Sequence, residues 1–442
     1  MNALRLRWAV ASAFILATIA TLLGGTVGSG LLGGSLLDGT LSADPWGWAS
    51  NPVIAADDGG TLYAAWAQHR RPGIWELSAI YVKKWANGQW EQLGGRIGHA
   101  RGHAGAGATW PSAYAPSIAL LGKAPYVAWY EGGGYGWGTL RGVHFGSSAF
   151  VAHWDGARWV EDPNTEQLNG ALNTDVGLKE TGYIPSARRP KLAVVSGRLY
   201  AAWIETRVMP GSGVSYNVLV VKHLQDGRWV QDGKDLWESR QVGDATIIDL
   251  AIADLGGEPW IAWSESKRRA GYRPAAVRVA RLSLGDWVTV GDRLNVSPRG
   301  YANYLAMAGL AGRAYVAWQE RPSSGNNRIY VKHWDGSRWV AHGDALNADP
   351  DAGEAGRAAL VGDEGGLWLT WPEGRPGQRA KLYVRSFGST GWSAPLAVPL
   401  RDSESGAADT PALAISRRTP YVIWAEKSPP PATKQIYVRA LP

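Results

Sequence analysis

Six glutamates stand two residues after a tryptophan: Glu131, Glu205, Glu265, Glu320, Glu373 and Glu426, and Gln68 takes the same place behind Trp66. Carboxylates recurring in one local setting have two chemical uses. They could serve as acid/base groups or ligand acceptors. They could instead accept hydrogen bonds from loop N–H groups or from arginines and pin one structural unit to the next. Carboxylate catalysis calls for a pair in unequal environments, whereas equivalent copies, with an amide accepted once, suit construction. Gln68 and the six glutamates are therefore read as a structural repeat ring.

Residues that break the repetition are better candidates for binding. "YEGGGYGWG" at Tyr130–Gly138 sets Tyr135 and Trp137 among glycines. The segment entering the same repeat, "GHARGHAGAGATWPSAY", carries Arg101, Trp110 and Tyr114. With Glu131, these residues are expected to form an aromatic platform that stacks a sugar ring or an aromatic side chain, with charged groups beside it. The other use of these rings is to fold inward over the mouth of the molecule. His99 and His103 have the spacing of a helical zinc site, but they lie in a Gly/Ala loop with no Glu between them, so no metal is expected. No cofactor is expected. No Gly-x-Ser-x-Gly elbow is present. Cysteine is absent, which rules out disulfides and thiolate metal ligands.

The elements that hold these residues follow from the repetition. Trp66, Trp129, Trp203, Trp263, Trp318, Trp371 and Trp424 recur at intervals of 63, 74, 60, 55, 53 and 53 residues. Around them the text alternates with period two, as in "LYAAWAQ" and "AYVAWQE", which marks strands. A short small-residue segment precedes each one, for example "PSIALL" or "PALAIS". A third strand follows, as at Ile80–Trp85 and Ile329–Trp334. In most copies a fourth strand comes next, across Asn87-Gly88, Asp155-Gly156, Asp226-Gly227 or Asp335-Gly336. No helical period occurs.

The expected fold is all-β: a seven-bladed β-propeller of four-stranded antiparallel blades. The repeats lie near 52–95, 115–162, 190–233, 248–291, 304–343, 357–398 and 411–442. The seventh copy stops after its third strand. "LSADP" at Leu41–Pro45 matches "LNADP" at Leu346–Pro350, which follows a fourth strand. Residues 34–40 are therefore expected to complete the last blade and close the ring.

The repeated Tyr-Val-Ala-Trp-x-Glu strand and the "HWDG-x-x-W" hairpins at His153–Trp159 and His333–Trp339 resemble bacterial propeller repeat proteins of the sialidase-like and fucose-lectin-like kinds. The resemblance covers about residues 34–442 and concerns the fold. The Asp boxes and flanking arginine motif of sialidases are missing, as is the Trp-ended repeat of quinone-dependent propeller dehydrogenases.

Residues 1–33 stand apart. Arg5 and Arg7 precede an uncharged run from Trp8 to Leu23, followed by Gly, Ser and Thr. This is read as a signal peptide or an N-terminal membrane anchor, its apolar run being about 16 residues against the roughly 20 of a spanning helix. The protein is thus expected to be exported, touching a membrane only through this segment. A net charge of +7 without long basic runs argues against nucleic acid.

The long loops all emerge on one face, where Arg207, Arg321, Arg375, Lys427 and Lys434 contribute to a basic rim. The leading reading is a monomeric, non-enzymatic recognition module for carbohydrate or cell-envelope protein partners. One alternative is a sialidase-like glycoside hydrolase or lyase acting on an anionic polysaccharide, with acids such as Asp175, Glu180 or Glu238. The other is a structural surface scaffold.

Overall fold

The computed structural model describes residues 35–69, 78–98, 111–133, 139–140, 143–144, 147–161, 172, 186–208, 215–236, 245–267, 274–401, 406–427 and 433–442. Among them the chain is all-β, with no helix, and none long and apolar enough to cross a membrane. The N-terminal export segment lies outside the described residues.

Each repeat lays its strands down in order as an antiparallel sheet. In the third repeat Ser186–Val195, Arg198–Val208, Ser215–Gln225 and Arg228–Gln231 pair successively. The Trp-bearing strand is always second, flanked by the small-residue strand and the third strand. Its interior positions are buried on both faces: Leu62–His69 is buried from Leu62 through Gln68. A sheet this apolar on both sides needs cover on both sides.

Neighbouring repeats supply it. Seven core clusters lie between successive repeats, and each gathers side chains from two of them. Trp318 packs with Val277 and Val279 of the repeat before, and Trp66 packs with Ile423 and Ala425 of the last repeat. All seven repeat tryptophans are at most 1% exposed. The first strands pack against one another in chain order, and Ala407–Ser416 packs against Trp48–Ala56.

The seams also carry directed hydrogen bonds. Trp159 Nε1 donates to Leu93 O and Trp339 Nε1 to Val290 O, both at 2.8 Å, so an outer-strand indole reaches back to the repeat before. Gly94 keeps that approach open. Its φ is +67°, and a Cβ there would stand 2.6 Å from the Trp154 ring.

The chain ends after the third strand Lys434–Ala440. Residues 35–41 run antiparallel along it: Leu37 N donates to Val438 O and Leu41 N to Ile436 O, each at 2.9 Å, and Leu36 bridges Arg439. Elsewhere a leucine after the fourth strand turns back in the same manner, Leu346 N to Ile329 O at 2.8 Å and Leu294 N to Val277 O at 3.0 Å. The likeness of "LSADP" and "LNADP" thus has a structural counterpart, since both leucines are buried and both donate to a third strand. Trp90 fastens the same segment by donating to Leu37 O at 3.2 Å.

Candidate functional site

The repeated Trp-x-Glu pair resolves into one hydrogen-bonding unit. Each indole lies flat between repeats, where its N–H must find an acceptor. Two residues along a strand is the same face, and there, in six of the seven copies, the Glu or Gln oxygen accepts. The distances are 2.9 Å to Gln68, 2.7 Å to Glu131, 3.1 Å to Glu205, 2.8 Å to Glu320, 2.6 Å to Glu373 and 2.9 Å to Glu426.

The same carboxylates hold the incoming connection. Val296 and Ser297 N–H donate to Glu320 at 3.1 and 2.6 Å, and Ala348 and Asp349 N–H donate to Glu373 at 2.9 and 2.6 Å. Arg401 N–H donates to Glu426 at 3.0 Å, and Ala43 N–H donates to Gln68 at 2.9 Å. Gln68 returns a bond that no carboxylate could make, from Nε2 to Asp44 O at 3.1 Å. A Cβ at Gly300 or Gly353 would overlap Glu320 or Glu373.

Two copies use arginine. Glu205 takes Arg207 at 2.8 Å, and Glu265 lies 3.9 Å from Arg278. Burial raises the pKa of Glu373, opposed by the bonds from Trp371, Asp349 and Ala348.

A second position recurs with a different outcome. The first strand carries a β-bulge: register shifts fall between Ser50 and Val53, Tyr114 and Ser117, Arg188 and Lys191, Ile247 and Asp249, Asn303 and Ala306, and Asp409 and Ala412. At five of these bulges a non-glycine residue is left-handed: Asn51, Ala115, Arg189, Tyr304 and Thr410, with φ of 50°, 45°, 53°, 54° and 43°. Such a conformation costs about 1–3 kcal/mol each and gathers at functional sites. Proline follows at Pro52, Pro116, Pro190 and Pro411, where the strand forgoes a ladder donor. In the fifth repeat Leu305 takes that place, and its free N–H donates to Asp249 Oδ2 at 3.0 Å.

Bulges re-aim side chains, and here they border a shared cavity of about 820 Å³. Its wall includes Arg189, Lys191 and Arg357 together with Tyr114, Tyr130 and Tyr304. Asp249 is fully buried and accepts Arg189 Nη1 at 3.0 Å. Burial opposes its charge, but Arg357, Arg189, Lys191 and the Leu305 N–H outweigh it and hold its carboxyl below the usual range.

Burial, with help from Arg357 and Arg189 and against the pull of Asp249, lowers the Lys191 ammonium to about 8. Lys191 makes no hydrogen bond among the described residues. Arg357 makes none there either, and its guanidinium rests 5.7 Å from the centre of the Tyr304 ring. The acids of the wall are engaged: Glu354 accepts Asn327 N–H at 3.1 Å, and Asp409 pairs with Lys434. In the same wall the Tyr114 and Tyr130 rings lie 5.6 Å apart, with His69 6.3 Å from Tyr114.

Of the residues expected to bind ligand, Tyr114 stands in this wall and Glu131 is buried against Trp129. Arg101, Trp110, Tyr135 and Trp137 lie outside the described residues, as do His99, His103, Asp175, Glu180 and Glu238. The expected basic rim is partly neutralised, because Arg207 pairs with Glu205 and Asp235, Arg375 with Asp349, and Lys434 with Asp409. Sequence reasoning missed Arg189, Lys191, Asp249, Tyr304 and Arg357. A signal existed: charges interrupt first-strand segments that are otherwise small and apolar, as in "ARRPKLAVV" and "IIDLAIA".

No protein-family model matches the chain, and no curated protein matches it in sequence. A polysaccharide lyase of known structure aligns with a TM-score of 0.53 at 10% identity, over 95% of this chain and 93% of that one. The β-propeller domain of the trilobed protease from Pyrococcus furiosus aligns with a TM-score of 0.49 at 10% identity, over 89% and 95%. A Trypanosoma rangeli sialidase aligns with a TM-score of 0.46 at 11% identity, over 94% of this chain and 57% of that one. At 10% identity the likeness to the lyase concerns the fold alone.

Proposed function

We propose that this protein is an exported seven-bladed propeller that binds a carboxylate-bearing saccharide in the cavity bordered by its first strands. Seven repeat tryptophans, each in a seam between successive repeats, support the blade number. Pairing of residues 35–41 with Lys434–Ala440 supports closure of the ring by the N-terminal segment. The uncharged run after Arg5 and Arg7 supports export.

The observation that carries the ligand class is the pair of cations, Lys191 and Arg357, that border a cavity and whose side chains make no hydrogen bond among the described residues. Both are half-buried and share a single carboxylate, Asp249, with Arg189, so positive charge is in excess there and a bound anion would offset it. A guanidinium matches a carboxylate in two-point geometry. The tyrosines of the wall offer faces on which a sugar ring could stack. Similarity to a polysaccharide lyase and to a sialidase is consistent with a carbohydrate ligand. Asp249, Glu354 and Asp409 are each engaged, and the acids of the hydrolase alternative, Asp175, Glu180 and Glu238, lie outside the described residues.

Titration calorimetry of the full chain tests this reading, with oligogalacturonates against neutral oligosaccharides of equal length. Acidic chains are expected to bind, and Arg357→Met to weaken them at least about tenfold. Equal affinity for the neutral chains would sink the assignment.

A further inference from the structure

Lys191, Arg189 and Arg357 line the same cavity, and the ring of Tyr304 lies under the Arg357 guanidinium. Asp249 takes Arg189 Nη1 and Leu305 N–H, so its direct bonds hold Arg189 and the backbone and leave Lys191 and Arg357 to a ligand. An amine, a guanidinium and a phenol thus meet in one cavity whose carboxylates are all engaged. That set offers no free carboxyl pair for displacement at a sugar carbon. It is suited to moving a proton beside a carboxylate.

We propose that the cavity breaks the acidic chain it binds by β-elimination at a 4-linked uronate, with Lys191 as the general base. This rests on the acidic-saccharide reading above.

The hydrogen on the carbon next to a carboxylate is hard to remove because the electrons left behind add charge to a group already negative. Arg357, paired with both carboxylate oxygens, offsets that charge as it develops. The Lys191 amine takes the proton from C5. The electron pair of the broken C5–H bond forms the C4–C5 double bond, and the C4–O4 bond breaks. The departing oxygen carries its electron pair to a proton supplied by the Tyr304 phenol. The products are an unsaturated uronate on one fragment and a free hydroxyl on the other. No water, oxidant or reductant is consumed. Return of the proton from Lys191 through solvent to Tyr304 resets the site.

The electrostatics of the cavity agree. Burial and the two flanking arginines hold Lys191 at about 8, so a useful share of it is neutral amine in mildly alkaline solution. The bulge that sets Arg189 at φ 53° also sets the register of Lys191, two residues on, against Ala202 of the neighbouring strand.

The full chain should be mixed with polygalacturonate and, separately, with alginate. Binding is read by calorimetry, and elimination by the ultraviolet absorbance of the new conjugated double bond. Absorbance should grow with at least one polymer, at a rate that rises with pH and levels off above about 8. Lys191→Met should lower that rate by about a hundredfold or more, while affinity changes less than about threefold at a pH where the amine is already neutral. A thermal melt of the variant checks that it folds, and Lys191→Arg, which keeps the charge but not a base, should also be inactive.

Binding by the wild type with no absorbance change would overturn the elimination and leave the saccharide site standing. Turnover that survives Lys191→Met in a folded protein would remove Lys191 from the chemistry. Failure to bind either polymer would overturn both readings together.

Discussion

The glutamate ring and the first-strand bulges are both written once per repeat, and they have opposite fates. At the Trp-x-Glu position the side chain hardly varies, and its oxygens accept an indole N–H and, in most copies, the N–H groups of the incoming connection. At the bulge the backbone recurs while the side chains differ: Asn51, Ala115, Arg189, Tyr304 and Thr410. A position that must solve the same packing problem in every copy keeps one residue type. A position whose backbone is fixed but whose side chain borders a cavity is free to diverge, and charged and aromatic side chains collect around it. Repetition of a chemically capable residue is thus a mark of construction, and divergence at a repeated backbone feature is a mark of a site.

The sharpest way to break this comparison is to remove a ring carboxylate. Glu373→Ala would leave Trp371 Nε1 and the N–H groups of Ala348 and Asp349 without their acceptor. It should cost about 3–5 kcal/mol in urea unfolding. A loss below about 1 kcal/mol would show that the ring is not structural.

Next comes the segment that borders the last repeat. Leu41 has no exposed surface, and Leu41→Ala should cost about 2–4 kcal/mol by the same measurement.

A smaller effect belongs to one seam that differs from the others. His342 Nε2 lies 2.7 Å from His333 Nδ1, between Tyr315 and Phe387. Burial first, then His333 and Arg313, lower His342 from 6.5 to about 4, and burial lowers His333 as well. A histidine whose folded pKa is depressed takes up its proton more readily when unfolded. Its contribution is therefore complete above about 6.5 and is lost as pH falls toward 4. Stability should drop by about 2 kcal/mol across that window, after allowance for partial exposure. Thermal melts at successive pH values should show the drop, and His342→Phe should flatten it.

Gln68→Glu probes the one amide in the ring. It keeps the acceptor for Trp66 and Ala43 and loses the donor to Asp44 O, a loss of about 1 kcal/mol in urea unfolding.

The least change in stability is expected where the ligand would be most affected. Arg357→Met removes a cation with no hydrogen bond in the described structure but with a share in offsetting the Asp249 charge, and should cost no more than about 1 kcal/mol in unfolding. Destabilisation on the scale of Glu373→Ala would place Arg357 with the ring and erase the distinction.

Much of the fold was legible because its signals are local. The alternation in "AYVAWQE" becomes the strand Arg313–Arg321, and Ile80–Trp85 falls inside the strand Ala79–Ala86. Asn87-Gly88 and Asp226-Gly227 become turns with both residues at positive φ. The placement of each Glu beside its Trp follows from strand period alone. The cavity was not legible. Attention went to the glycine-rich aromatic loops, while Arg189, Lys191, Asp249 and Arg357 read singly as odd charges in apolar strands. Nothing within a repeat says that a carboxylate in the fourth will meet an arginine from the third and a backbone N–H from the fifth.

The sequence by itself determined the strands, their turns and the tryptophan-glutamate pairs, because each depends on residues within one strand or one hairpin. Tertiary structure alone decided which connection each glutamate holds and which charges meet between the first strands. Those contacts join residues one or more repeats apart, and they exist only after stacked sheets have fixed every bulge in space.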